Sequence, residues 1–240
     1  MPPEDLGYEK MYQATINGDI KALRQILKKY QCANNKDGLG RTPLFYAVQK
    51  SQDEAALLLI EMGSEINFQD TQGKTPLHVA ALYGQEKMVQ LLIERGANLE
   101  IKDLMYLTPL GVSVAEGYES IARLLINSGA DVNVRLGSSE SSDTLLHMAV
   151  SAMNKKRNIK IVELLLSSDA DVHAKSGMFG YTPLYYLEDY ANFGLSWLPS
   201  YWRKDEEIEE LLKRYGASSK MYDWAKPMHI VRDILRTCSS

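Results

Sequence analysis

Four histidines, two cysteines and a set of acidic clusters are the residues of this chain that could carry chemistry. His78 is the most suggestive, because Thr75-Pro76-Leu77-His78 sets a hydroxyl beside an imidazole in the sort of polar cluster a site would use. The other histidines are His147, His173 and His229, and no pair of them has metal-ligand spacing. Cys32 and Cys238 lie near opposite ends of the sequence and complete no ligand set. There is no phosphate-cradling glycine loop and no G-x-S-x-G nucleophile turn. The acidic run Asp205-Glu206-Glu207-Ile208-Glu209-Glu210 reads as a solvated helix start, with Glu209 and Lys213 spaced to pair. The expectation is a protein with no catalytic residues, no cofactor, no metal and no small-molecule substrate.

The element that positions His78 recurs, and a catalytic motif would not. Thr42, Thr75 and Thr108 are spaced 33 residues apart, and Gly63, Gly96 and Gly129 keep the same step. Degenerate copies begin at Asp143 and Tyr181. Such a period marks a repeat architecture in which each unit is one supersecondary element. Thr75 is placed to cap a helix that starts with Pro76, where a missing N–H costs nothing. Leu77, Ala80 and Ala81 give that short helix a small-residue face, and Gly84 ends it. Met88, Val89, Leu91, Leu92 and Ile93 form the apolar stripe of a second helix, stopped by the left-handed residue Gly96. A single unit cannot bury this stripe, whereas stacked copies can.

The period, the Thr-Pro-Leu-His-x-Ala run and the closing Gly-Ala resemble the ankyrin repeat, over about Asp5 to Lys220. Residues 70–102 follow that pattern almost throughout. The resemblance implies an all-α ankyrin-repeat solenoid of stacked helix pairs with hairpin-like turns, to which the sequence adds a short C-terminal helix. It also implies that His78 and His147 hydrogen-bond neighbouring turns. The expected organisation is a repeat domain over 1–220, with units at about 5–36, 37–69, 70–102, 103–135, 136–175 and 176–220. A capping or recruiting helix follows at 221–240. The first unit lacks the Thr-Pro-Leu-His run, and its wet residues Glu4, Asp5, Glu9 and Lys10 suit a terminal repeat. The sixth unit carries an insertion with Trp197, Tyr201 and Trp202, and both tryptophans are expected to be partly buried against the last repeat.

Composition narrows the partner. The chain has 240 residues, with 27 basic against 31 acidic side chains and a formal net charge of −4. That balance gives no electrostatic footprint for nucleic acid. No apolar run approaches the length that spans a membrane. Two thiols and the lack of a visible signal peptide point to a cytoplasmic, or also nuclear, setting.

Function should then lie on surfaces. In the family resembled, partners are held by the turn tips and the exposed side of the first helices, which line a concave face. Those positions hold Leu39, Arg41, Leu82, Tyr83, Leu104, Met105, Tyr106, Leu107, Met178, Phe179, Tyr181 and Tyr190. Tyr106 stands where the family prefers glycine, because the turn asks for a positive φ. Leu104 to Leu107 present four apolar residues in a row, which flags an interaction site. The expectation is a non-catalytic scaffold or inhibitor, a monomer on its own, that binds another protein. The alternative is an adaptor that recruits ubiquitin-ligase or other machinery through the C-terminal helix or the 194–207 insertion, a form a pathogen effector could also take.

Overall fold

Each Thr-Pro pair starts a helix because threonine is extended and proline is already helical. Thr42, Thr75 and Thr108 have φ of −88°, −92° and −80°, and a proline follows each. The computed structural model describes residues 3–30, 32–139, 142–151, 158–177, 180–192 and 206–218, with the side chains of 3–7 and 188–192 outside that description. Met178, Phe179, the 194–207 insertion up to residue 205 with Trp197 and Trp202, and the 221–240 segment lie outside the described residues.

The described helices come in pairs. The N-terminal pair is α1 (Pro3–Asn17) and α2 (Ile20–Tyr30). Next come α3 (Pro43–Gln49) with α4 (Asp53–Glu61), and α5 (Pro76–Leu82) with α6 (Glu86–Glu94). They are followed by α7 (Pro109–Glu116) with α8 (Glu119–Asn127), and α9 (Leu145–Val150) with α10 (Ile159–Ser167). The last pair is α11 (Pro183–Asn192) and α12 (Glu206–Arg214).

The chain divides into two compact units, Met1–Ser138 and Ser139–Ser240. In the first, α1, α3, α5 and α7 pack in chain order as one layer, and α2, α4, α6 and α8 as a second. The layers meet over fully buried Leu44, Ala47, Leu59, Leu77, Ala80, Met88, Val89 and Leu92. Burying a leucine side chain of this kind stabilises by roughly 1.5–3 kcal/mol, and each helix pair gains most of it from its neighbour. In the second unit, α9 packs on α11 and α10 on α12, with Leu145, Val162, Leu165, Leu184 and Leu212 in the core.

Glycines terminate the helices as the pattern requires. Gly96 and Gly129 take φ of 83° and 95° just past the cap residues Arg95 and Ser128 of α6 and α8, and Gly84 takes 69° after α5. Tyr118 reinforces the last position, since a methyl group on Gly84 would lie 3.0 Å from its ring. At the chain start, α1 begins at Pro3, just before the first unit expected at about 5–36.

A candidate protein-interaction surface at the turn tips

In the first unit the same turn is built three times. The side-chain Oδ1 of Asp37 accepts the amides of Leu39 and Arg41, both at 2.8 Å. Asp70 does the same for Gln72 and Lys74 at 2.8 and 2.9 Å, and Asp103 for Met105 and Leu107 at 2.8 and 3.0 Å. Each aspartate amide also donates across the turn, to the carbonyls of Arg41, Lys74 and Leu107. A carboxylate can satisfy two converging amides in this way, which is why aspartate recurs at turns. Successive turns are tied by backbone bonds of 2.9 Å, from Thr71 N–H to Leu39 O and from Leu104 N–H to Gln72 O.

The crown of each turn needs a left-handed residue. Gly40 and Gly73 supply it at φ 73° each, and Tyr106 supplies it at φ 61°. Gly73 is doubly constrained, because a side-chain carbon there would sit 3.0 Å from Leu104 N. Tyrosine in this region costs about 1–2 kcal/mol relative to an ordinary backbone. The expectation that residue 106 stands at a positive-φ position therefore holds, and the position carries an aromatic ring.

Around that crown Leu104 is 66% exposed, Met105 73% and Tyr106 45%. Leu107 differs from its neighbours. It is half-buried, and its carbonyl accepts both Asp103 N–H and the His78 ring. The run of four apolar residues thus presents three side chains at the tip and turns the fourth toward the stack. Leu39 is exposed at the tip two turns earlier. Arg41 is engaged within its own turn, ion-paired to Asp37 at 2.9 Å with its guanidinium 4.7 Å from the Tyr46 ring centre. Tyr46 also donates its hydroxyl to Asp37. Burial raises the Asp37 carboxyl, but the hydrogen bonds from Tyr46, Arg41 and Leu39 outweigh it and leave the group below its ordinary value. Sequence reading missed this lock, although an arginine four residues after an aspartate was its trace.

On the first-helix side, Tyr83 is exposed and its hydroxyl accepts from Gln49 at 3.3 Å, whereas Leu82 is half-buried. Tyr181 belongs to the second unit. It is half-buried, its ring stacks on Tyr185 with centroids 4.4 Å apart, and its carbonyl accepts from His147 at 2.9 Å. Tyr190 falls within α11 with its side chain outside the described residues, as are Met178 and Phe179.

His78 is fully buried and every polar atom of its ring is engaged. Its Nδ1 accepts Thr75 N–H at 3.1 Å and lies 2.8 Å from Thr75 Oγ1, while Nε2 lies 3.0 Å from Leu107 O. An amide can only donate and a carbonyl only accept, so the ring is neutral with its proton on Nε2. Burial lowers its pKa, which keeps it so. His147 repeats the arrangement with Thr144 and Tyr181 O. A ring held this way joins one repeat to the next turn and has no free lone pair for a solute.

Among the described residues, no three His, Cys, Asp or Glu side chains converge as a metal would require. Nor is any helix among them long and apolar enough to cross a membrane. A family model described as ankyrin repeats matches the chain three times, over residues 10–103, 63–136 and 103–176. The matches span more than half of the sequence and their helix pairs, turn carboxylates and bridging histidines repeat in step, so the chain belongs to the ankyrin-repeat family, whose repeats are generally protein–protein interaction modules and generally not catalysts.

Proposed function

We propose that this protein is a non-catalytic scaffold or inhibitor that binds a segment or domain of another protein. Its contact centre is Leu104, Met105 and Tyr106, and Leu39 and Tyr83 extend it within the first unit. One observation carries the reading. The crown of the 103–107 turn holds an aromatic residue in a backbone conformation that favours glycine, flanked by two side chains more than 60% exposed. Strain kept at an exposed apolar tip serves no packing role, and outliers of this kind cluster where partners bind. Aromatic residues are also where interface energy concentrates. Two cysteines in 240 residues are in keeping with a reducing, cytoplasmic or nuclear setting.

The test is the double substitution Leu104→Ser with Met105→Ser. Partner capture should lose about 2 kcal/mol or more of affinity, roughly thirtyfold. The thermal midpoint should correspond to a stability change within about 0.5 kcal/mol, since no packed contact is removed. Unchanged affinity with unchanged melting would remove this tip as the contact centre.

A further inference from the structure

The charges around the tip say what kind of segment it takes, given the contact centre proposed above. The carboxylates of the three turns are engaged by the backbone of their own turns. Asp37, Asp70 and Asp103 each receive two backbone amides, and Asp103 is buried. Glu100 turns its Oε1 to the Asp131 amide at 2.9 Å. Amide dipoles directed at these oxygens offset their charge locally. Two lysines adjoin these turns. Lys74 lies in the turn whose Gln72 carbonyl binds Leu104 N–H, directly beside the tip. Lys102 immediately precedes Asp103, and its Nζ bonds only a neutral acceptor, the Arg135 carbonyl, at 2.8 Å. Among the described residues, neither Lys74 nor Lys102 is in an ion pair. The two half-buried lysines at this tip therefore lack a carboxylate partner, on a chain whose formal net charge is −4.

We infer that the segment bound at Leu104, Met105 and Tyr106 is an acidic–apolar peptide stretch, with large apolar side chains against the tip and carboxylates against Lys74 and Lys102. Two ammonium groups without a carboxylate partner favour an incoming acid and disfavour an incoming base, which is how complementary charge sets specificity. A basic segment would meet like charge at Lys74 and Lys102.

A random twelve-residue peptide display library, selected on the full-length chain, tests this. Recovered peptides should carry net negative charge with at least two large apolar residues. Their affinity should fall at least tenfold on Lys74→Glu with Lys102→Glu, fall less on Lys74→Gln with Lys102→Gln, and weaken at higher salt. Circular dichroism melting of the variants separates lost binding from lost fold. Neutral or basic peptides, or peptides whose affinity ignores the charge reversal but needs Leu104 and Met105, would overturn the inference and leave the contact centre standing. Peptides whose binding survives Leu104→Ser with Met105→Ser would overturn the contact centre as well. Failure to recover any peptide would overturn the assignment of a linear segment.

Discussion

Replacing His78 by alanine should destabilise the first unit by about 2–5 kcal/mol, from a stranded amide and a vacated ring volume. The ring is fully buried and bridges Thr75 to Leu107. Its loss strands the Thr75 amide, whose one partner among the described residues is Nδ1, and an orphaned buried donor costs about 1–3 kcal/mol. The Leu107 carbonyl is not stranded, because it still accepts Asp103 N–H at 2.9 Å, so that end adds little. The vacated ring volume adds roughly another 1–2 kcal/mol of lost packing. Glutamine should recover part of the loss, since a glutamine three residues past the cap can accept the cap amide, although it cannot also reach Leu107. Urea unfolding followed by circular dichroism gives the two values, and partner affinity is measured on the same samples below the transition. A stability cost under about 0.5 kcal/mol with abolished binding would refute the bridging role. An alanine variant as stable as the glutamine variant would refute the assignment of the cost to the Thr75 amide.

Three further outcomes follow from the same geometry. Thr42 caps α3 without a side-chain hydrogen bond, and its buried hydroxyl has no partner because Phe45 stands where His78 stands in the next repeat; Thr42→Val should be neutral or stabilising by up to about 1 kcal/mol, whereas Thr75→Val should cost about 1–2 kcal/mol in the same unfolding assay. At the strained crown, Tyr106→Gly should be more stable than Tyr106→Ala by about 1 kcal/mol, the reverse of the order at an ordinary position, as differential scanning calorimetry would show. The depressed pKa of His78 means that the unfolded chain takes up a proton first, so its contribution is complete above about pH 6.5 and is lost as pH falls from there toward the folded value, at up to about 1.4 kcal/mol per pH unit; the slope of stability against pH between 5 and 7 should be shallower in His78→Gln.

Much of this was legible because each unit states its own boundaries. Thr75, Pro76, Gly84 and Gly96 delimit α5 and α6 by chemistry that acts within a few residues, and the 33-residue register places Tyr106 on the same φ as Gly40 and Gly73. What escaped depends on contacts across the stack. Leu107 counts as a fourth tip residue in sequence, yet its carbonyl serves His78 from the preceding repeat and its side chain is half-buried. Arg41 reads as a free tip cation until the Tyr46 ring and the Asp37 carboxylate are seen beside it. Leu82 and Tyr83 are adjacent in sequence but differ in exposure, since successive residues near a helix end point about 100° apart. The orphaned Thr42 hydroxyl could be anticipated only by noticing that Phe45 replaces the histidine of the repeat motif.

A partner protein held at the crown of the 103–107 turn would lie within reach of a crosslinker placed there. Site-specific photo-crosslinking tests this binding most directly, with a benzoyl-phenylalanine introduced singly at Leu104, Met105 or Tyr106, and at the exposed positions Lys87 and Gln90 of α6 as controls. Irradiation in the native cell extract should yield the same protein adduct from all three tip positions and from neither control, with the adduct lost when unlabelled wild-type protein competes. Adducts of equal yield from α6, or none from the tip while α6 gives one, would contradict binding at this crown.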